Sequence, residues 1–353
     1  MANIELLRII SMGMVIVLHY LGKGGLLPNM GLAMGANAYA AWIMESLAIV
    51  AVNVYVLISG YFLVESEFKL GKVVSLVAQV LFYTVVITII ACATGIFDVN
   101  ELGIYHVIMQ ILPLQMEHYW FVTAYIGMYI LTPVLAAGIK NISKKHLQVV
   151  IGLFVFFMCI EKSIVPVRLT IDKKGYEAMW LICLFLIAAY LRLYSMKLFE
   201  KKWVMLLLYF GGCGMSFIEN LLISIVYEKT GKLSHMLGVP HHYNHIFILL
   251  ASVGFFMLFL NMNMPENVFS KIICKVSPYT LGVYLLHEHI YIRYLWPKWL
   301  GAGEVSGPLN LILKTILAAV IVLVIGLAVD YLRSLIFKIG SKLVHVKKNG
   351  SVV

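Results

Sequence analysis

Ten stretches of this chain are each apolar and long enough to cross a bilayer, and they leave little else to build from. They run over Ile4–Leu21, Ala38–Val64, Val73–Phe97, Trp120–Ile139, Leu147–Val165, Tyr176–Tyr194, Trp203–Tyr227, Asn244–Leu260, Pro278–Trp296 and Leu309–Phe337. A hydrocarbon core of ~30 Å takes about 20 helical residues. Inside it every backbone N–H and C=O must be paired within the protein, which leaves helices and closed barrels. The runs here are continuous rather than alternating, so they read as helices. The expected fold is an all-α polytopic membrane bundle of about ten transmembrane helices. It is expected to be one unit over 1–353, with no appended soluble domain. The longest stretches outside the spans are Asp98–Tyr119, in which Leu102–Leu114 is apolar enough for a short interfacial helix, and Glu228–Tyr243.

Only 12% of the residues are charged, against about 25% in soluble domains, while the net charge is +10. Such an excess can mark a nucleic-acid binder, but here the basic residues are scattered through short loops between apolar spans. With the N-terminus inside, the cytoplasmic segments hold sixteen: Lys69, Lys72, Lys140, Lys144, Lys145, Arg192, Lys197, Lys201, Lys202, Lys271, Lys275, Arg333, Lys338, Lys342, Lys347 and Lys348. The outer segments hold eight: Lys23, Lys162, Arg168, Lys173, Lys174, Lys229, Lys232 and Lys298. The bias predicts cytoplasmic termini in a plasma membrane, expected to be bacterial; the loop Glu161–Gly175, with four basic residues, is discordant. No small-residue cleavage site follows the first span, so it reads as retained. The five cysteines form no CxxC pair, and no disulfide framework or metal site is expected.

Polar residues inside these spans carry the functional signal. A charged side chain at mid-bilayer costs roughly 2.5–3.5 kcal/mol even on lenient scales, so it normally faces a bundle interior or a wet cavity. Arg8 and His19 stand eleven residues apart in the first span, about three turns, which puts them on one face ~16 Å apart. Glu45 and Asn53 in the second span, and Glu219 and Asn220 in the seventh, are further candidates for lining a polar cavity. Glu117, His118 and Trp120 stand where the fourth span meets the interface, where an acceptor could be met, although an aromatic belt also accounts for Trp120. His241, His242 and His245 share a loop without an adjacent acidic or thiol ligand, which favours a polar loop over a metal site. His287 and Glu288 fall in the ninth span; Asp330 and Arg333, three residues apart, read as a self-neutralising helix pair.

An Arg, ten intervening residues and a His in the first span resembles the opening motif of the acyltransferase-3 family of integral membrane acyltransferases. Val54–Leu63 (VYVLISGYFL), Tyr119–Pro133 (YWFVTAYIGMYILTP) and Ser277–His287 (SPYTLGVYLLH) resemble it as well, so the likeness runs essentially end to end. The resemblance implies an acyl-CoA donor, acetyl-CoA in the first instance. It also implies as acceptor a hydroxyl of an envelope glycan or lipid-linked precursor. It makes His19 the general base, a role an ordinary pKa near 6.5 suits, and gives Arg8 a supporting or donor-binding part. Relatives tend to carry Arg-x-x-Arg where this chain has Lys69-Leu-Gly-Lys72, implied to contact the donor; lysine binds phosphate as a point charge without the guanidinium fork. His287 matches a family histidine. The competing reading is a transporter or export protein that uses the same polar groups without covalent chemistry, or a related amino-acid-handling membrane module.

Overall fold

In the computed structural model the described residues, which contain no strand, are 1–116, 118–164, 172–194 and 197–350, the side chains of 341–350 excepted. Glu117, Arg168 and the end of the fifth expected span at Val165 lie outside them, as do the side chains of Lys342, Lys347 and Lys348. The helices in chain order are α1 (Ala2–Lys23), α2 (Ala36–Ala48), α3 (Ala51–Leu63), α4 (Leu70–Ala93), α5 (Ile104–Ile111), α6 (Trp120–Asn141), α7 (Lys144–Val155) and α8 (Glu161–Ile164). They continue with α9 (Ala178–Leu193), α10 (Lys202–Thr230), α11 (Ile246–Leu260), α12 (Val268–Val276), α13 (Thr280–His287), α14 (Trp296–Trp299) and α15 (Pro308–Gly350). The protein is an all-α polytopic membrane protein. Among the described residues, eight helical stretches are long and apolar enough to cross a membrane.

Two of the ten expected spans take another form. The sixth becomes α9, only 16 residues, or about 24 Å at 1.5 Å per residue, short of a hydrocarbon core. Its Trp180, Leu181, Cys183, Leu184 and Phe185 are all fully buried, so its surroundings are other helices rather than lipid. It presses on α3 through small residues: a Cβ at Gly60 would sit 2.9 Å from the Ala188 Cβ and 2.9 Å from the Phe185 Cα, the close approach that small side chains permit between membrane helices. The ninth span, Pro278–Trp296, is not one helix. Pro278 stands in a single 3-10 turn before α13, and α13 stops at His287. Glu288 then reaches Lys23, and the buried His289 imidazole lies 3.4 Å from the Thr84 carbonyl. Continuing the helix would forfeit those polar contacts in an apolar interior.

α1 is the axle. Ile4, Leu7, Ile16, Tyr20 and Leu21 are each at most 1% exposed although they point round the whole helix, the mark of a helix surrounded by protein. It packs against α2, α3, α11, α12, α13 and α15. The periphery is different: α15 exposes Leu309, Leu313, Leu317, Val320 and Val324, and α10 exposes Trp203, Leu207 and Phe210. Those continuous apolar faces suit lipid contact.

The discordant loop resolves in part. Lys162 on α8 pairs with Asp172 at 2.7 Å and donates to the Asn244 Oδ1 at 2.7 Å, with both charged side chains almost completely buried. One of the four basic residues is therefore neutralised inside the protein rather than presented to a membrane face.

Candidate active site

Arg8 and His19 open into one cavity of about 300 Å³ that follows α1. Met12, Val15 and Leu18 of the same helix face it, with Val52, Tyr55 and Ser59 of α3, Trp120, Phe121 and Tyr125 of α6, and Leu281 and Tyr284 of α13. α13 runs alongside α1 in the same direction: Ser277, just before it, donates to Glu5, and His287 at its end meets His19. Tyr119 Oη donates to the Leu285 carbonyl at 2.7 Å, and the Ile290 N–H donates to His118 Nε2 at 3.3 Å, bracing the chain on both sides of His287 and Glu288. Burial, then the charges of His289 and Arg293, push the His118 imidazole down to about 3, which suits an acceptor nitrogen.

The hydrogen bonds at the His19 end assign its tautomer. His287 Nδ1 lies 2.6 Å from the Val283 carbonyl, an acceptor only, so Nδ1 carries the proton. Neutral His287 then offers Nε2 as acceptor, and His19 Nδ1, 2.9 Å away, must donate to it. Glu288 Oε2 lies 3.2 Å from the same His19 nitrogen and also binds Lys23, while Arg293 stands 3.7 Å from its other oxygen. His19 Nε2 is left deprotonated and without a hydrogen-bond partner among the described residues, on a side chain that lines the cavity. An imidazole that lines a cavity, with one nitrogen held by a carboxylate and a second imidazole and the other free to accept, is the arrangement a general base needs.

At the other end, Arg8 Nη1 contacts both Glu5 oxygens at 2.9 Å, and the Arg8 carbonyl accepts from Tyr55 Oη at 2.6 Å. Lys69 and Lys72 are exposed and do not line the cavity. The Lys69 N–H lies 3.3 Å from Tyr129 Oη, and Tyr129 stacks on the cavity residue Tyr125.

Of the other residues singled out from the sequence, Trp120 lines the cavity, His287 and Glu288 meet His19 Nδ1, and His118 accepts from the Ile290 N–H. Asn53 is fully buried and saturated: it donates to the Tyr243 carbonyl at 2.8 Å and accepts from Trp180 Nε1 at 3.0 Å, so it positions Tyr243 rather than facing the cavity. Glu219 lies 3.4 Å from His245 Nε2, and Asn220 ties the Gly238 N–H to α10. Glu45 keeps one buried oxygen without a hydrogen-bond partner among the described residues. His241 contacts Ser46 at 2.8 Å, and no group of three or more His, Cys, Asp or Glu placed to hold a metal occurs among the described residues. Asp330 is bound by Arg333 as expected and also accepts from Gln79 and Tyr83 of α4.

Lys23, Arg293, Tyr243 and Tyr284 were not legible as site residues. Lys23 follows His19 by one helical turn, which is the one signal that pointed to it.

No curated protein and no solved structure matches the chain. The acyltransferase domain family matches residues 1–331, nearly all of the sequence and every part of the cavity, and the chain belongs to that acyltransferase-3 family of membrane proteins.

Proposed function

We propose that the protein transfers an acyl group, acetyl in the first instance, from acyl-CoA to a hydroxyl of a cell-envelope glycan or its lipid-linked precursor. One observation carries this reading: a single cavity is lined by both Arg8 and His19, whose Nε2 has no hydrogen-bond partner among the described residues. The donor enters at the Arg8 mouth, on the cytoplasmic side, with its phosphates near Lys69 and Lys72 and its thioester arm along the cavity. The acceptor arrives at the opposite end. As the hydroxyl oxygen attacks the thioester carbonyl, His19 Nε2 takes its proton. The tetrahedral adduct then collapses with loss of the C–S bond, and the imidazolium returns the proton to the CoA sulfur. Glu288, 3.2 Å from Nδ1, stabilises the imidazolium between those steps. The test is transfer of labelled acetyl from acetyl-CoA to envelope carbohydrate by membranes that contain the protein. A transporter leaves no covalent label.

Two further results are expected. Cysteine at Lys144, with the five native cysteines replaced, should be shielded from an impermeant thiol reagent in intact cells, and cysteine at Lys232 should react; labelling of Lys144 from outside reverses the orientation. Replacing Lys69 and Lys72 together with Ala should raise the donor KM at unchanged protein level. The Arg pair should bind the donor as well or better, because guanidinium is the better phosphate fork. An unchanged donor KM in the Ala pair returns both lysines to a purely topological role.

A further inference from the structure

α6 begins at the cavity, and its first residues, Trp120, Phe121 and Val122, line it. A helix leaves its first backbone N–H groups without partners of its own. Here the Val122 N–H closes on the Tyr119 carbonyl at 3.0 Å, while the Trp120 and Phe121 N–H groups bond nothing among the described residues. Tyr119, the residue before the helix, gives no side-chain cap; its hydroxyl goes to the Leu285 carbonyl at 2.7 Å. That bond pins the start of α6 to α13, one residue from Tyr284.

Tyr284 lines the same cavity and is only 6% exposed, and its buried Oη makes no hydrogen bond among the described residues. The Phe121 N–H approaches that oxygen without closing a hydrogen bond. The Phe121 and Tyr284 rings meet edge to face with centroids 6.3 Å apart, and the His19 ring lies 6.3 Å from that of Tyr284. A buried phenol usually finds a partner, and packing alone would be served as well by phenylalanine. Four other hydroxyls along the cavity already donate within the protein: Tyr55 to the Arg8 carbonyl, Ser59 to the Tyr55 carbonyl, Ser277 to Glu5 and Thr280 to the Ser277 carbonyl. The cations nearest His19, Lys23 and Arg293, are turned to Glu288. Two donors on separate elements, the Tyr284 O–H and the Phe121 N–H, are thus left over at one point of the cavity wall.

We propose that the Tyr284 hydroxyl and the Phe121 N–H form the oxyanion hole, which receives the thioester carbonyl oxygen as charge develops on it. The assignment rests on the acyl-transfer reading and makes Tyr284 a second catalytic residue beside His19. As the acceptor oxygen bonds to the carbonyl carbon, the C=O π pair moves onto the carbonyl oxygen and His19 Nε2 takes the acceptor proton. Both donors then hydrogen-bond to that oxygen, and the positive end of the α6 dipole faces it. When the pair returns and C=O re-forms, the C–S bond breaks and the sulfur leaves with the proton from His19. A phenol with an ordinary pKa near 10 keeps its proton at neutral pH, so it can donate. Burial of Tyr284 and the Tyr119–Leu285 bond hold both donors before the charge appears, so little reorganisation opposes the step.

The experiment compares wild type with Tyr284→Phe, each purified at full length in nanodiscs, using labelled acetyl-CoA and the carbohydrate fraction of the envelope of the cells that make the protein. Phenylalanine keeps the ring and removes only the hydroxyl. kcat should therefore fall about 10²–10³-fold, the usual loss of one oxyanion-hole donor, with the KM for donor and acceptor unchanged. A second measurement needs no turnover: binding of a CoA analogue that carries a phosphonate, a tetrahedral anion, in place of the acetyl group. Wild type should bind it more tightly than acetyl-CoA. Tyr284→Phe should bind the phosphonate about tenfold more weakly, the size of one charge-assisted hydrogen bond, and acetyl-CoA as wild type does. Wild-type kcat in Tyr284→Phe, or an acceptor KM raised at unchanged kcat, overturns the oxyanion hole and leaves the acyl-transfer reading standing. Phosphonate affinity that is unchanged, or lost together with acetyl-CoA affinity, marks a structural hydroxyl and overturns it as well. Wild-type protein that transfers no acetyl overturns both.

Discussion

His19→Gln should lower acyl transfer by about 10²–10⁴-fold, the usual contribution of general base catalysis. Glutamine keeps much of the size of histidine and can still donate to His287 Nε2 and Glu288, so the link between α1 and α13 has a replacement. What it lacks is the lone pair that Nε2 offers on a side chain lining the cavity. His19→Ala should lose as much activity while also opening space beside Tyr284, whose ring centroid lies 6.3 Å from that of His19. The decisive measurement is transfer by both purified variants, normalised to monodisperse protein, with a donor-binding titration alongside. Donor affinity should survive, because the proposed phosphate site is at the other end of the cavity. A structural histidine predicts the reverse pattern: Gln tolerated, and losses that track folded protein. Near-normal transfer by His19→Gln would falsify the mechanism.

The largest stability effect is expected away from the chemistry, at Lys162. Removing one partner of a buried ion pair typically costs about 3–5 kcal/mol, because the other charge stays buried. Lys162→Ala should therefore lower the thermal midpoint in detergent markedly, and should also loosen the Tyr176 turn. The pair carries a pH signature. Burial pushes the Asp172 carboxyl up, but hydrogen bonding and charge from Lys162, with Asn244 and the Lys174 N–H, outweigh that and hold it below the ordinary carboxylate value. A carboxyl depressed in the folded state contributes stability that is fully present above its unfolded value, near 3.9, and is lost as pH falls through the folded value. Wild type should thus lose this contribution only in acid, and Lys162→Ala should lack that limb of the stability curve. Replacing Lys162 and Asp172 together with Met and Leu should recover most of the midpoint, since apolar replacements leave no buried charge. A single Ala variant as stable as wild type would show that the pair holds nothing together.

Membrane helices state themselves in sequence because the bilayer imposes one long apolar run per crossing, and eight of the ten expected spans appear, seven with ends shifted by at most four residues and the eighth beginning at Ser234 rather than Asn244. Arg8 and His19 were readable for a related reason: one helix sets their spacing and face, and a polar residue in such a helix must look inward. The family was legible in the Arg-x10-His spacing and three further segments, and the family match over 1–331 agrees.

Tertiary structure alone decided everything that joins distant segments. His287 follows His19 by 268 positions, yet their nitrogens sit 2.9 Å apart and assign the tautomer. Composition could not say that α9 is surrounded by protein, where 16 residues suffice, or that Pro278–Trp296 breaks so that Glu288 can reach Lys23 and His19. Nor could spacing tell Asn53, saturated by Tyr243 and Trp180, from Glu45, which keeps an oxygen without a partner among the described residues. Hydropathy and helical period are properties of a segment by itself. A hydrogen bond across the bundle depends on where two helices end and how they cross, and no single segment encodes that.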